Sequence, residues 1–239
     1  MRNLLVKLSR VLYWLIPREY KQERQTVSYK SALEKLLIED CAKNTLKTFG
    51  RHIKNSVLCH DTWAIRKHAI ERAVSEDKDN FYLEFGVYQG KSTNFFSNYV
   101  KKLYAFDSFE GLNEDWAGTG SSKGKANLNK KIPVLNKNVQ PVVGLVQDTL
   151  DKFLMEHNPK IKFVHMDLDT YPSTKYTLEK IKPYLCKDAI ILFDELYNFI
   201  GWENGEYKAL IETFNDEEYS FKAFTLNYFQ PAIQLKLNH

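Results

Sequence analysis

The spacing of apolar residues along the chain changes character near residue 78. Residues 1–16 repeat Leu4, Leu5, Leu8, Val11, Leu12, Leu15 and Ile16 at helical intervals, with Arg2, Lys7 and Arg10 elsewhere on the cylinder and Pro17 ending the run. The pattern predicts a basic amphipathic helix. It is too short and too charged to span a bilayer, and it lacks the apolar run and cleavage site of a signal peptide. Two placements fit it: flat on an anionic membrane surface with Trp14 at the interface, or packed on its own domain or a second subunit. From about 28 to 77 the periodicity stays helical, as in SALEKLLIED and DTWAIRKHAIERAV.

Beyond that point short β-rich runs (NFYLEF, KLYAF, QPVVGLV, IKFVHM, AIILF) alternate with helical ones (TNFFSNYVK, TLDKFLMEH, STKYTLEKIKPYL, EYKALIETF), and YSFKAFTL and AIQLKLN close the chain as strands. Such alternation predicts an α/β fold, a doubly wound and mainly parallel sheet whose ligands bind outside the C-terminal strand ends. The expected organisation is a basic helix and linker over 1–24, a helical part over 25–79 and a main domain over 80–239. Residues 108–138, rich in Gly and Lys with little periodicity, read as an inserted lid or a disordered loop.

Charge narrows the partners. The net charge of +4 over 239 residues belongs entirely to residues 1–24, and the remainder balances 28 basic against 28 acidic side chains. A neutral main body argues against nucleic acid as the principal partner. Cys41, Cys59 and Cys186 have neither zinc-ligand nor CxxC spacing, so thiols in a reducing, cytoplasmic compartment are expected, peripheral on the inner membrane face if residues 1–16 bind there.

The stretch FYLEFGVYQGKST ends in Gly-Lys-Ser like a P-loop, yet Gly86 and Gly90 enclose three residues where a P-loop needs four. A dinucleotide fingerprint needs a second glycine where Tyr88 stands. What remains is Glu84-x-Gly86-x-x-x-Gly90 followed by a helix beginning near Ser92, whose N–H groups suit a carboxylate. After the next strand Asp107 is placed to accept from ribose hydroxyls. In QDTL, which includes Gln147, Asp148 is placed to accept from an adenine amine and Thr149 to cap a helix. The set outlines an adenosine site without a pyrophosphate clamp, which fits S-adenosylmethionine.

Two further strand ends carry acids: Asp167 and Asp169 in HMDLDTYPST, and Asp194 and Glu195 in ILFDELYNFIGW. Four converging carboxylates repel one another unless a hard divalent cation such as Mg²⁺ neutralises them. The alternative makes two of them helix caps, Asp169 before Pro172 above all.

YLEFGVYQGKST, AFDSFEGL, QDTL, HMDLDTYPST and FDELYNFIGWENGEYKAL together resemble the metal-dependent sugar O-methyltransferases of the macrocin O-methyltransferase type, over roughly residues 80 to 215. The resemblance implies a class I methyltransferase fold with a seven-stranded sheet, S-adenosylmethionine as donor, and a divalent metal that grips an acceptor sugar. On this resemblance Asp167 and Asp194 are metal ligands, Asp169 is the general base, and Glu195 stands where antibiotic-pathway members often carry another aspartate. With the basic N-terminal flank, the acceptor suggested is a surface polysaccharide or lipid-linked sugar, and a homo-oligomer is a further expectation. His165 is read as a buried strand histidine with a backbone partner, Trp202 and ENGEYK as a turn into a helix, and Tyr88 and Phe109 as packing. A nicotinamide-dependent oxidoreductase and a silent membrane-bound scaffold stand as alternatives.

Overall fold

The computed structural model describes residues 32–74 and 79–236. The expected helix over 1–16 lies outside them. The chain divides into two compact units, Met1–Asp40 and Cys41–His239. Of the first, the described part is the opening of helix α1 (Ala32–Lys54). Among the described residues no helix is long and apolar enough to cross a membrane.

The second unit is an eight-stranded sheet with helices on both faces. After α1 come β1 (Val57–Cys59), α2 (Thr62–Ala73), β2 (Asn80–Phe85), α3 (Lys91–Ser97), β3 (Leu103–Asp107), β4 (Val139–Val143) and α4 (Val146–His157). Then follow β5 (Lys160–Met166), α5 (Tyr171–Ile181), β6 (Leu185–Phe193), α6 (Glu206–Thr213), β7 (Tyr219–Thr225) and β8 (Pro231–Leu235). The sheet order is β1-β7-β8-β6-β5-β2-β3-β4. Among the described residues only β8 runs antiparallel to its neighbours, β6 and β7. The seven expected strands are all present. The eighth, β1, was hidden because three residues between two helices are too few to show a period.

Alternation along the strands sorts side chains between the two faces. In β6, Ala189, Ile191 and Phe193 enter the core that includes Leu83, Phe85 and Met166, whereas Ile190 and Leu192 enter the opposite one with Ile65, Ala69, Ile70 and Ala73 of α2. That helix starts at Asp61, whose carboxylate accepts the Ala64 N–H at 2.8 Å. Its apolar stripe recurs at i, i+4, i+5 and i+8, and burying each isoleucine contributes about 1.5–3 kcal/mol. Residues 57–73 are thus part of the sheet and its cover.

Chain order reverses between β2 and β5, the switch point where ligands bind in such sheets. Here two loops cross so closely that a Cβ on Gly86, at φ +90°, would lie 1.8 Å from the Asp167 carbonyl oxygen. Only glycine fits. The insertion over 108–138 has neither helix nor strand, but it is pinned: the Leu112 N–H donates to the Lys125 carbonyl and the Gly124 N–H to the Leu112 carbonyl, both at 2.9 Å, and the Asn136 N–H donates to Asn94 Oδ1 at 2.8 Å.

Candidate active site

Pairing runs one residue past the strand ends. Gly86 N–H donates to Phe106 at 2.9 Å, Asp167 N–H to Phe85 at 2.8 Å, and Asp194 N–H to Met166 at 2.9 Å. Parallel strands therefore set Gly86, Asp167 and Asp194 side by side at one edge of the sheet. A cleft of about 320 Å³ opens there, walled by Gly86, Asp107, Gln147, Asp167 and Asp169 together with Leu112, Trp116 and Lys125 of the insertion.

On the glycine-loop side Asp107 is the organiser. Its Oδ2 accepts the N–H groups of Val87 and Tyr88, both at 2.8 Å, and its Oδ1 accepts that of Phe109 at 2.6 Å. These charge-assisted bonds hold Tyr88 and Phe109 at φ 48° and 56°. The carboxylate expected to meet a ribose thus also shapes the loop, with acceptor capacity left over. Gln147 lines the cleft and donates to Ser173 Oγ at 3.2 Å.

Other expected cofactor residues stand elsewhere. Glu84 is fully buried and absent from the cleft wall, because even spacing from Tyr82 turns it to the α2 face. Gly90, at φ 74°, caps α3 and sits against Leu135, while Ser92 is buried behind it. Asp148 faces a separate groove with Lys102 and Tyr104, since one residue past Gln147 on α4 points about 100° away. Thr149 is not the cap: α4 opens at Val146, and the Thr149 hydroxyl donates to Leu145 at 2.9 Å. Tyr88 is 45% exposed and lines the cleft, whereas Phe109 is packed at 1%.

The acids gather on the other side. One ligand oxygen each from Asp167, Asp169 and Glu195 lie within 4.8 Å of one another, and Asp167 also groups with His165 and Asp194. Asp169 is not a helix cap: Thr170 occupies the N-cap of α5, and Asp169 itself is left-handed at φ 62°. Glu206, at the start of α6, is fully buried and accepts the Glu195 N–H at 3.1 Å. It went unnoticed in the sequence because an acid in a first helical turn is ordinary dipole complementation.

Beneath them lies a chain of ion pairs. Glu84 and His165 are cross-strand partners on β2 and β5, and their side chains meet at 2.9 Å. The other ring nitrogen of His165 meets Asp194 Oδ1 at 3.2 Å, and the same oxygen accepts from Arg66 Nη2 at 2.8 Å and from Gln230 Nε2. His165 is buried as expected, but its partners are carboxylates rather than backbone, which a one-dimensional pattern does not reveal. Burial works against the imidazolium, yet the bonds to Asp194 and Glu84 outweigh it and push the pKa up to about 9. Burial would likewise raise Asp194, but His165 and Arg66 hold its carboxyl well below the usual range.

The remaining acids have no such relief. Burial first, then Asp194, pushes Asp167 and Glu195 well above the ordinary range. Glu206 is raised by burial and by Asp167. Asp169 is pushed up to about 7 by burial, Asp194 and Asp107. Glu195 Oε2 and Glu206 Oε1 are buried with no hydrogen-bond partner among the described residues. Buried carboxylate oxygens normally find partners, so this donor set fits a hard divalent cation near Asp167, Asp169 and Glu195, with Asp194 grouped beside Asp167. Both nitrogens of His165 are already engaged, which excludes the imidazole as a ligand in this arrangement.

Residues 83–196 match the family model described as a methyltransferase domain. No curated protein matches the chain in sequence. Among solved structures, the calicheamicin methyltransferase CalS11 aligns at 19% identity and TM-score 0.61, covering 88% of this chain and 95% of its own. Its apo form, described as a TDP-rhamnose 3'-O-methyltransferase, aligns at 18% and 0.55 over 88% and 97%. The O-methyltransferase NovP aligns at 18% and 0.51 over 73% and 79%. The fold is that of the class I methyltransferases with one added edge strand, and the domain match favours a methyltransferase over the oxidoreductase alternative. The chain carries a match to a methyltransferase domain over residues 83–196.

Proposed function

We propose that the acceptor atom is a hydroxyl oxygen of a sugar or glycosylated molecule, and that transfer is assisted by a divalent cation, with Mg²⁺ the first choice. The observation that carries this is the meeting of Asp167, Asp169 and Glu195 within 4.8 Å beside the cleft, with buried carboxylate oxygens lacking partners next to them. CalS11, which shares the fold, is described as acting on TDP-rhamnose. The basic flank over 1–24 suits an acceptor carried on a surface polysaccharide or a lipid.

When bound, the sulfonium cofactor supplies an electrophilic methyl group and the cation lowers the pKa of a nearby hydroxyl. The chain does the rest. Gly86, Asp107 and Gln147 wall the proposed cofactor cleft, and Leu112 and Trp116 of the insertion form its apolar side. Asp169 sits in the cleft wall and belongs to the acid set, so its carboxylate is placed to take the hydroxyl proton. Burial, Asp194 and Asp107 raise its pKa to about 7 in the metal-free protein, which favours proton acceptance. Asp167, Asp194 and Glu195 are the carboxylates that would hold the cation beside the cleft.

Incubating the protein with methyl-labelled S-adenosylmethionine and a panel of nucleotide sugars, glycosides and lipid-linked sugars, in Mg²⁺ or in EDTA, tests the reading. Label should appear on a sugar oxygen in Mg²⁺ alone. Transfer that ignores EDTA, or that goes only to nitrogen, would contradict it.

A further inference from the structure

The donors around Asp194 point beyond the acid set itself. Three of them converge on a single oxygen: Arg66 Nη2 at 2.8 Å, His165 Nε2 at 3.2 Å and Gln230 Nε2 all meet Oδ1. Two come from outside the matched domain, Arg66 from α2 and Gln230 from the turn before β8. Both are fixed in place. Gln230 is 2% exposed, and its backbone is tied to Thr225 by bonds of 3.0 and 3.1 Å. The Arg66 guanidinium lies 5.0 Å over the Trp63 ring, and its side chain is 12% exposed. Neither residue lines the cofactor cleft.

A carboxylate oxygen offers about two lone-pair directions, so three donors saturate Oδ1 and leave Oδ2 as the acceptor Asp194 can still offer. That distinguishes cations. Ca²⁺ takes six to eight oxygens and often both oxygens of one carboxylate, whereas Mg²⁺ demands a small octahedral set with one oxygen from each.

We propose that Arg66 and Gln230 are positioning residues that make Asp194 a one-oxygen ligand and thereby select a small octahedral cation over Ca²⁺. The inference rests on the reading that the acid set binds a divalent cation. Removing Arg66 also removes a positive charge that repels any dication, which would strengthen Mg²⁺ and Ca²⁺ alike. The ratio of the two affinities, and not either one, therefore reports the clamp.

Calorimetric titration of the full chain with Mg²⁺ and with Ca²⁺ tests it, for the wild type, for Arg66→Met and Gln230→Leu singly, and for the two combined. The wild type should favour Mg²⁺. Each single variant leaves two donors on Oδ1 and should change the ratio by about twofold or less, whereas the double variant leaves His165 alone there and should move the ratio toward Ca²⁺ by about tenfold, the lower end of what lost support around a metal ligand produces. Adenosylhomocysteine affinity should stay unchanged in all three variants. If the combined variant does not fold, Arg66→Ala with Gln230→Ala carries the test. A wild type that favours Ca²⁺, or a double variant that keeps the wild-type ratio, overturns the proposal while leaving a cation site in place. A wild type that binds neither ion overturns the cation reading itself.

Discussion

Asp107 and Asp194 both stand at the C-terminal end of a parallel strand, yet they are held by different means. Asp107 is gripped by backbone N–H groups at most 20 residues away. Asp194 is gripped by side chains 128 residues before it and 36 after it. The glycine-loop side of the cleft is thus written in one short stretch of backbone, and the acid side is assembled from the whole unit. A substitution near Asp107 disturbs a loop. One near Asp194 disturbs a buried balance of charge.

The largest effect should come from Asp169→Asn, which keeps shape and removes the proton acceptor. Its rate should fall by ~10²–10⁴, the range of a general base, with adenosylhomocysteine affinity unchanged. A single-turnover assay with the acceptor found in the panel checks this, and an undiminished rate would return Asp169 to a merely structural role.

Asp194→Ala should destabilise the protein by roughly 3–5 kcal/mol, because it leaves Arg66 and His165 buried without their shared partner. The corresponding change on the other side, Asp107→Asn, removes charge-assisted bonds to three N–H groups and should cost less, about 1.5–3 kcal/mol. Urea unfolding measures both. Equal losses would erase the contrast between a charge network and a backbone-held loop.

A smaller effect is the pH dependence of stability without added metal, and it should arise on the acid side. Asp169 has its pKa raised to about 7, so stability falls as pH rises from the unfolded value of 3.8 toward 7 and is flat beyond. His165 is raised from 6.5 to about 9, so its contribution is complete below 6.5 and is lost as pH climbs through 9. Both push the melting temperature down between pH 5 and pH 9. Mg²⁺ should flatten the slope, since it compensates the ionised acids. A profile that is flat without metal would mean that these acids do not carry the burdens assigned to them.

The same contrast explains what could be read beforehand. The strands NFYLEF and AIILF were legible because a buried parallel strand is a short apolar run, and the placement of Gly86, Asp107, Asp167 and Asp169 in the cleft wall, with Asp194 beside them, because such sheets open their clefts at strand ends. Gln147 was legible for the same reason, and Asp148 beside it was misdirected by one helical step. Arg66, Gln230 and Glu206 were not legible, since each looks like a surface residue of its own segment until the sheet brings it to Asp194 or Glu195. Glu84 was read as a cofactor residue from its distance to Gly86. Its alternation along β2 sends it to the opposite purpose, pairing with His165.

The account's central claim is that one site has two separable halves, a cleft for the cofactor and an acid set for a divalent cation. Melting curves over a grid of adenosylhomocysteine and Mg²⁺, with EDTA as the zero, test it directly. Each ligand alone should stabilise the fold by roughly 2.7 kcal/mol at about 100 times its dissociation constant, and the Mg²⁺ increment should vanish in Asp167→Asn while the adenosylhomocysteine increment remains. A Mg²⁺ increment of zero in the wild type, or one that survives in Asp167→Asn, would contradict the claim.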